Sequence, residues 1–267
     1  MSSSTPRPVQ SVSNTELYNR WAKVYDTDGN ILQAIDDALL PPLLDQAFQL
    51  LSSSSPISIT ELGCGTGRNT AKLLLPSLTT IVPIKSITAL DLSEGMLSVA
   101  KQRCESLLAS TASTATSAPP TLNFHVFDAL SPSDLGVEGS ADLVLSTLVL
   151  EHLPIDTFFK AASSFLKPNG VLVVTNMHAD MGRISQAGFV DPESGEKVRG
   201  TSFVYEIQEV LDEGRKWGFE VLGSVGEREV GEKDIGEGKL LGPRGKKWVG
   251  VDVWFGLVMS LSGGRAF

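Results

Sequence analysis

The chain has 267 residues, of which 42% are hydrophobic and 20% are charged, and its formal net charge is −9. This acidic balance argues against a nucleic acid or an anionic membrane surface as partner and favours a small-molecule ligand. The two cysteines, without a C-x-x-C pair, exclude a disulfide framework and a zinc site, so we predict no metal and a reduced, cytoplasmic setting.

The N-terminal part of the chain is predicted to be a tail followed by helices. Residues 1–13 are rich in Ser, Thr and Pro, which is typical of a disordered tail. Within residues 14–55, Tyr18, Trp21 and Tyr25 are three and four positions apart, so a helix places them on one face. These rings either pack in a helical core or form an aromatic lid over a ligand, and the spacing alone favours packing.

A second helix is predicted to run from Ile31 toward Leu51. Pro41 and Pro42 fall inside it. Because proline lacks a backbone N–H and its ring clashes with the preceding turn, we predict a break near Leu40 and a restart after the two prolines.

A strand, a glycine-rich turn and a helix come next. Gly63, Gly65 and Gly67 follow an alternating apolar run, and Glu61 precedes them. Glycines let the backbone turn tightly against a ligand, and the start of the next helix offers free N–H donors. The dinucleotide fingerprint G-x-G-x-x-G needs a third glycine where Arg68 stands, and the Gly-Lys-Ser/Thr of a P-loop is missing.

Strands and helices then alternate over residues 56–267, which predicts one α/β domain. A low-complexity loop at 109–120 interrupts the alternation, and residues 177–203 are predicted to form a hairpin or an extended lid on the substrate side. With the strand before the glycine turn, the remaining strands give a Rossmann-like, doubly wound, seven-stranded and mostly parallel sheet with helices on both faces. These strands are predicted at Ser86–Leu90, Leu122–Phe127, Asp142–Thr147, Val171–Asn176, Glu220–Val225 and Trp248–Ser260.

Aspartates follow two of the predicted strands, Asp91 after one and Asp128 after the next along the chain. Because ligands of parallel sheets bind at the carboxyl ends of strands, both are expected in one crevice with the glycine turn. A carboxylate at Asp91 suits the two hydroxyls of a ribose. The alternative is that each aspartate only caps a helix.

The glycine turn, the segments around these aspartates and residues 142–153 resemble the successive motifs of class I S-adenosylmethionine (SAM)-dependent methyltransferases. The likeness extends to the small-molecule branch that includes ubiquinone- and menaquinone-biosynthesis methyltransferases and, more weakly, to fungal natural-product methyltransferases. It implies SAM as cofactor, and it implies that the helix with Tyr18 and Tyr25 belongs to a helical lid over SAM.

The resemblance also implies which residues contact the cofactor. Around the methionine moiety and the methyl group it places Glu61, Gly63, Cys64, Gly65, Thr147 and Leu148. Around the adenosine it places Asp91, Leu92, Met96, Asp128 and Ala129.

Two histidines at the ligand end of the predicted sheet, His152 and His178, are candidates for a catalytic base, because histidine titrates near neutral pH. For each, a structural or positioning role is the alternative. We expect His178 to be the better base, because it opens the variable segment 177–203.

The predicted activity is methyl transfer to an O or N atom of a small metabolite, with a possible setting in natural-product biosynthesis. Two alternatives stay open at this point. The same fold signals suit an NAD(P)-dependent oxidoreductase, apart from the missing third glycine. A non-catalytic SAM-binding protein would keep the same cofactor residues.

Overall fold

The computed structural model describes residues 9–51, 56–75, 82–112 and 118–263. Its strands are β1 Val9–Ser11, β2 Ile57–Leu62, β3 Ile84–Asp91, β4 Thr121–Val126, β5 Ala141–Thr147, β6 Leu166–Met177, β7 Gly188–Val190, β8 Lys197–Arg199, β9 Phe219–Glu229 and β10 Asp252–Leu261. Its α-helices are α1 Asn14–Trp21, α2 Ile31–Leu50, α3 Arg68–Leu73, α4 Glu94–Thr111, α5 Ile155–Phe165, α6 Ala179–Ile184 and α7 Ile207–Lys216.

Seven strands form the main sheet in the order β4-β3-β2-β5-β6-β10-β9. The first five are parallel, and β10 is antiparallel to both of its neighbours, β6 and β9. The predicted Rossmann-like, mostly parallel sheet is therefore confirmed. Because the strands are parallel, the carboxyl ends of β2, β3, β4 and β5 lie at one edge of the sheet.

Helices cover both faces of this sheet, as predicted. On one face α2, α3 and α4 pack against side chains such as Leu143 and Leu145 of β5. On the other face α5 and α7 pack against the alternate residue, Val144. The period-2 alternation of strand side chains thus divides β5 between two cores, which explains why its sequence is continuously apolar.

Helix α2 is continuous through Pro41 and Pro42, so the predicted break near Leu40 is wrong. Both prolines are exposed, whereas Leu40 and Leu44 are buried against the sheet. The backbone carbonyls that lose a partner lie on the solvent side, where water hydrates them, and the buried face holds the helix together.

The N-terminal segment joins a second, small sheet. Strand β1 pairs in parallel with β8, which forms a hairpin with β7. The predicted disordered tail is therefore wrong for residues 9–13, while residues 1–8 lie outside the described residues. Of the two forms predicted for residues 177–203, the hairpin is found, and helix α6 precedes it. The hairpin also holds α1, because Arg20 makes a salt bridge to Asp191 at 2.8 Å.

Several predicted boundaries shift. Helix α4 continues to Thr111, inside the predicted loop 109–120, of which residues 113–117 lie outside the described part of the chain. Trp248 ends a 3₁₀ turn, Pro243–Trp248, and β10 begins only at Asp252. Within the four described stretches, no helix is both long and apolar enough to cross a membrane.

Candidate active site

The glycine turn between β2 and α3 is held in a conformation that side chains disfavour. Gly63, Gly65 and Gly67 have φ angles of 75°, 55° and 73°. A Cβ on Gly63 would lie 2.2 Å from Cγ2 of Val149, and one on Gly67 would lie 2.9 Å from Ala100. A Cβ on Gly65 would meet nothing within 4 Å. The turn is thus pressed between its neighbours at both ends and open in the middle.

Asp91, the last residue of β3, fastens this turn to the sheet. One carboxylate oxygen accepts from the backbone N–H of Gly65 and the other from that of Ser93, each at 2.8 Å. Burial raises the pKa of Asp91, and these two hydrogen bonds oppose the rise. Each oxygen keeps a free lone pair, so the carboxylate can still accept two further hydrogen bonds.

A cavity of about 420 Å³ lies at these strand ends, and we name it the first cavity. The predicted site residues that line it are Tyr18, Tyr25, Gly63, Gly65, Asp91, Leu92, Met96, Asp128, Ala129, Thr147, Leu148 and His152. Its wall also contains Asn14, Phe127, Val149, Thr201 and Phe203, which the sequence reasoning missed. Thr201 and Phe203 come from the segment after the hairpin, whose sequence carries no motif.

Glu61 and Cys64 are not among the residues that line this cavity. The Glu61 side chain is buried beneath the turn, where Oε2 accepts from Thr70 Oγ1 at 2.5 Å, and burial raises its pKa to about 7. Cys64 packs against Ala89 and Ala100 between the sheet and α4. The structure therefore buries both side chains away from the wall of this cavity.

Aromatic rings close the first cavity from the N-terminal side. Tyr18 and Trp21 are stacked, with ring centroids 5.8 Å apart, and Tyr25 meets Trp21 edge-on at 5.0 Å. Trp21 is in turn stacked on Phe189 of β7 at 5.2 Å. Helix α1 ends at Trp21 and Tyr25 lies in the turn that follows, so the predicted single helix face is wrong for Tyr25. Trp21 is buried, while Tyr18 and Tyr25 line the cavity.

Tyr18 and His152 form a hydrogen-bonded pair, with 2.6 Å between Tyr18 Oη and His152 Nε2. His152 Nδ1 lies 3.3 Å from the carbonyl oxygen of Thr201. Because a carbonyl only accepts, the proton of a neutral imidazole sits on Nδ1, and Nε2 accepts from the tyrosine hydroxyl. Burial raises the pKa of Tyr18 well above its ordinary value, so the phenol keeps its proton.

Glu151 lies beside this pair. Its Oε1 is 3.8 Å from His152 Nε2, close enough to stabilise a protonated imidazole. Its buried Oε2 has no hydrogen-bond partner among the described residues, and burial raises the pKa of the carboxyl. An unpaired buried oxygen of this kind is costly, which indicates a place for a donor from a ligand.

A second cavity of about 530 Å³ adjoins the first. Three residues line both: Tyr18, Tyr25 and Leu148. Glu151 lines only the second. Leu148 has a φ of 58°, a left-handed conformation that is rare for a leucine and that costs about 1 kcal/mol or more. The backbone strain thus lies where the two cavities meet.

His178 lines neither cavity, contrary to the expectation that it is the better base. It is the N-cap of α6, where its Nδ1 accepts from the Asp180 N–H at 3.2 Å. Its Nε2 is 3.4 Å from Glu227. The structure gives His178 a capping role and leaves His152 as the histidine at the cavities.

Comparisons with known proteins agree with this geometry. A family model described as a methyltransferase domain matches residues 60–174. An uncharacterized methyltransferase of Emericella nidulans is 42% identical and covers 93% of this chain and 91% of its own. Malonyl-acyl-carrier-protein O-methyltransferase of Bacillus cytotoxicus is 40% identical over 86 residues, which are 32% of this chain and 27% of its own. The structure of magnesium protoporphyrin IX methyltransferase from Synechocystis with bound S-adenosylhomocysteine (SAH) has a TM-score of 0.53 at 16% identity, covering 93% of this chain and 95% of its own.

Proposed function

Because the chain belongs to the class I, SAM-dependent methyltransferase family, we propose that it methylates an oxygen or nitrogen atom of a small molecule held in the second cavity. The observation that carries the proposal is that the two cavities meet at Tyr18, Tyr25 and Leu148. A ligand in each would meet the other at this junction. Membership of this family decides against the oxidoreductase alternative.

The first cavity suits SAM. Free acceptor sites on Asp91 match the ribose hydroxyls, and Asp128 with the Ala129 backbone matches the hydrogen-bonding edge of adenine. The open Gly65 leaves room for the methionine moiety to approach the backbone. When bound, SAM supplies a methyl group that its sulfonium already activates. The protein then has to align the acceptor and remove its proton.

Proton removal is assigned to Tyr18 and His152. Tyr18 Oη takes the proton of the acceptor while it gives its own proton to His152 Nε2, the nitrogen that it already contacts at 2.6 Å. The imidazolium that forms is stabilised by Glu151 Oε1, 3.8 Å away. His152, not His178, is thus the base.

Residues 14–55 and 177–203 are proposed to act together as the cover of this site. They are joined by the stacking of Trp21 on Phe189 and by the salt bridge between Arg20 and Asp191. Both contribute to the wall of the second cavity, whereas the main sheet supplies most of the first. Substrate contacts are therefore expected mainly from the cover.

Titration calorimetry with SAH tests the cofactor site, and transfer of labelled methyl groups from SAM to a panel of phenols, carboxylic acids and amines tests the activity. We expect SAH to bind the wild type and the Asp91→Ala variant to bind it about a hundredfold more weakly, since two hydrogen bonds to a charged group are lost. Failure of the wild type to bind SAH, or transfer to none of the panel, would contradict the proposal.

A further inference from the structure

The wall of the second cavity is of two kinds. One part is apolar and well packed: Trp21 stacks on Phe189, and Met177, Met181 and Trp248 are buried beside them. Aromatic and methionine side chains adapt to flat or irregular apolar molecules. The other part is basic and lies on different elements.

The basic part consists of Lys197 on β8 and of Arg244 and Lys247 on the 3₁₀ turn Pro243–Trp248. We name these three side chains the basic wall. Its members line the second cavity and not the first, so they lie away from the junction. Within the described ranges, none of the three forms a salt bridge.

Two of these side chains are supported by their surroundings. The ammonium of Lys247 lies 4.5 Å from the centroid of the Trp248 ring, a cation–π contact. Arg244 packs along Gly29, where an added Cβ would come within 3.3 Å of its Cδ. Both charges are therefore placed at the cavity by apolar or backbone contacts and, among the described residues, not by a salt bridge.

One carboxylate of the cavity wall, that of Asp28, lies close enough to Arg244 to interact with it electrostatically, although the described residues show no salt bridge between the two. Asp28 accepts from Trp21 Nε1 at 2.8 Å and from the Asn30 N–H at 2.9 Å, so its hydrogen bonds go to neutral donors. Glu151 is at the junction, beside His152. Burial, together with the positive charges of Arg199 and Lys247, lowers the pKa of Lys197. The basic wall thus brings three cationic side chains to the cavity beside the carboxylate of Asp28, although the whole chain carries a net charge of −9.

We propose that the methyl acceptor is an apolar molecule with a carboxylate at the end opposite the methylated atom, and that the basic wall binds this carboxylate. The inference rests on the function proposed above and names its substrate class. The apolar body packs between Trp21, Phe189 and Trp248, and the O–H or N–H to be methylated faces Glu151 Oε2 and Tyr18. The planar fork of Arg244 matches the two oxygens of a carboxylate, which it can bind through two parallel hydrogen bonds.

Binding of 2-naphthoate and of its neutral methyl ester tests the proposal. Quenching of tryptophan fluorescence reports on the cavity, because Trp21 and Trp248 line it. SAH-saturated wild type should bind 2-naphthoate about tenfold more tightly than the ester, since charge-assisted hydrogen bonds form only with the acid. In the Arg244→Gln/Lys247→Gln double variant this preference should disappear, with the Kd of the ester changed by less than about twofold.

Lys246→Gln is the matched control, because Lys246 is a neighbouring exposed lysine on the same turn that does not line the cavity. It should keep the tenfold preference. Equal affinities for acid and ester in the wild type, no binding of either, or the same loss in Lys246→Gln would overturn the proposal. SAH binding measured in the same samples keeps the two proposals apart, since a wild type that binds naphthoate but not SAH refutes the methyltransferase site alone.

Discussion

The two cavities are built in different ways. The first is made by turns and strand ends of one sheet, and its polar side chains are tied to the protein: Asp91 to two backbone N–H groups and Thr147 to Asn69. The second is made by side chains from separated segments. Among the described residues, its Glu151 Oε2 has no hydrogen-bond partner and its basic wall forms no salt bridge. Groups already fixed by the fold suit one invariant ligand, whereas unpaired groups are satisfied only by the molecule that enters. Apart from the Tyr18–His152 pair, we therefore expect substitutions in the first cavity to affect folding and cofactor binding, and those in the second to affect substrate binding.

The largest expected effect is on folding. Gly63→Ala forces a Cβ to within 2.2 Å of Val149 while φ is 75°, so we expect a loss of more than about 4 kcal/mol in the free energy of unfolding. Gly65→Ala meets no atom within 4 Å and should cost only about 1 kcal/mol, for its left-handed φ. Urea denaturation measures both.

The same two glycine variants separate an effect on folding from an effect on SAH binding. Because Gly65 lines the first cavity, Gly65→Ala should weaken SAH binding by about tenfold or more in a protein that is still folded. Equal stability of the two alanine variants would show that the turn is not pressed against Val149.

The next effect is a dependence of stability on pH that comes from Glu61, buried beneath the glycine turn. Burial raises the pKa of Glu61 from an ordinary value of 4.5 to about 7. The folded state thus holds the proton more tightly than the unfolded state. The stability that this contributes is fully present below about pH 4.5 and is lost as the pH rises through about 7, by no more than about 3 kcal/mol.

Glu61→Gln should remove this slope, because glutamine keeps an oxygen for Thr70 and does not titrate. Urea denaturation of both proteins at pH 5 and pH 8 measures the difference. A wild type that loses no more stability than Glu61→Gln between these pH values would show that the carboxyl titrates normally.

A smaller effect concerns the junction. We expect Tyr18→Phe and His152→Gln each to lower kcat by about tenfold, with the Kd of SAH changed by less than about threefold, because they act on proton transfer. Since the two side chains work as one unit, the double variant should be no slower than either single variant. His178→Gln, outside both cavities, is the control for a histidine change. If the two reductions of kcat multiplied in the double variant, the two side chains would act independently and not as one proton-transfer unit.

The two cavities also differ in how well their residues can be predicted from the sequence. The glycine turn, Asp91 and Asp128 were placed correctly at one crevice because their positions depend on local rules: glycine φ angles, strand ends and the parallel sheet. The seven strands were recognisable from runs of apolar residues for the same reason. The contact of Glu61 with the methionine moiety, which the resemblance implies, stays a prediction, and the structure buries the Glu61 side chain beneath the turn.

The second cavity could be predicted only by region, as the lid 14–55 and the substrate-side segment 177–203, and not residue by residue. Its walls come together through the pairing of Val9–Ser11 with β8 and through the 3₁₀ turn with Arg244, contacts between parts of the chain that are far apart in sequence. Continuity of α2 through Pro41 likewise depends on tertiary packing that outweighs the local preference of proline. His152 was recognised only as one of two candidates, because the choice depends on the distance to Tyr18.

The smallest expected effect tests the strain at the junction itself. Leu148→Ala removes packing and keeps the left-handed φ of 58°, whereas Leu148→Gly removes the same packing and relieves the strain. The glycine variant should therefore be more stable than the alanine variant by about 1 kcal/mol in urea denaturation. Leu145, fully buried in the regular part of β5, is the matched control, and there the alanine variant should be the more stable one. If the alanine variant were the more stable one at both positions, the backbone at Leu148 would be relaxed. The boundary between the cavities would then depend on side chains alone.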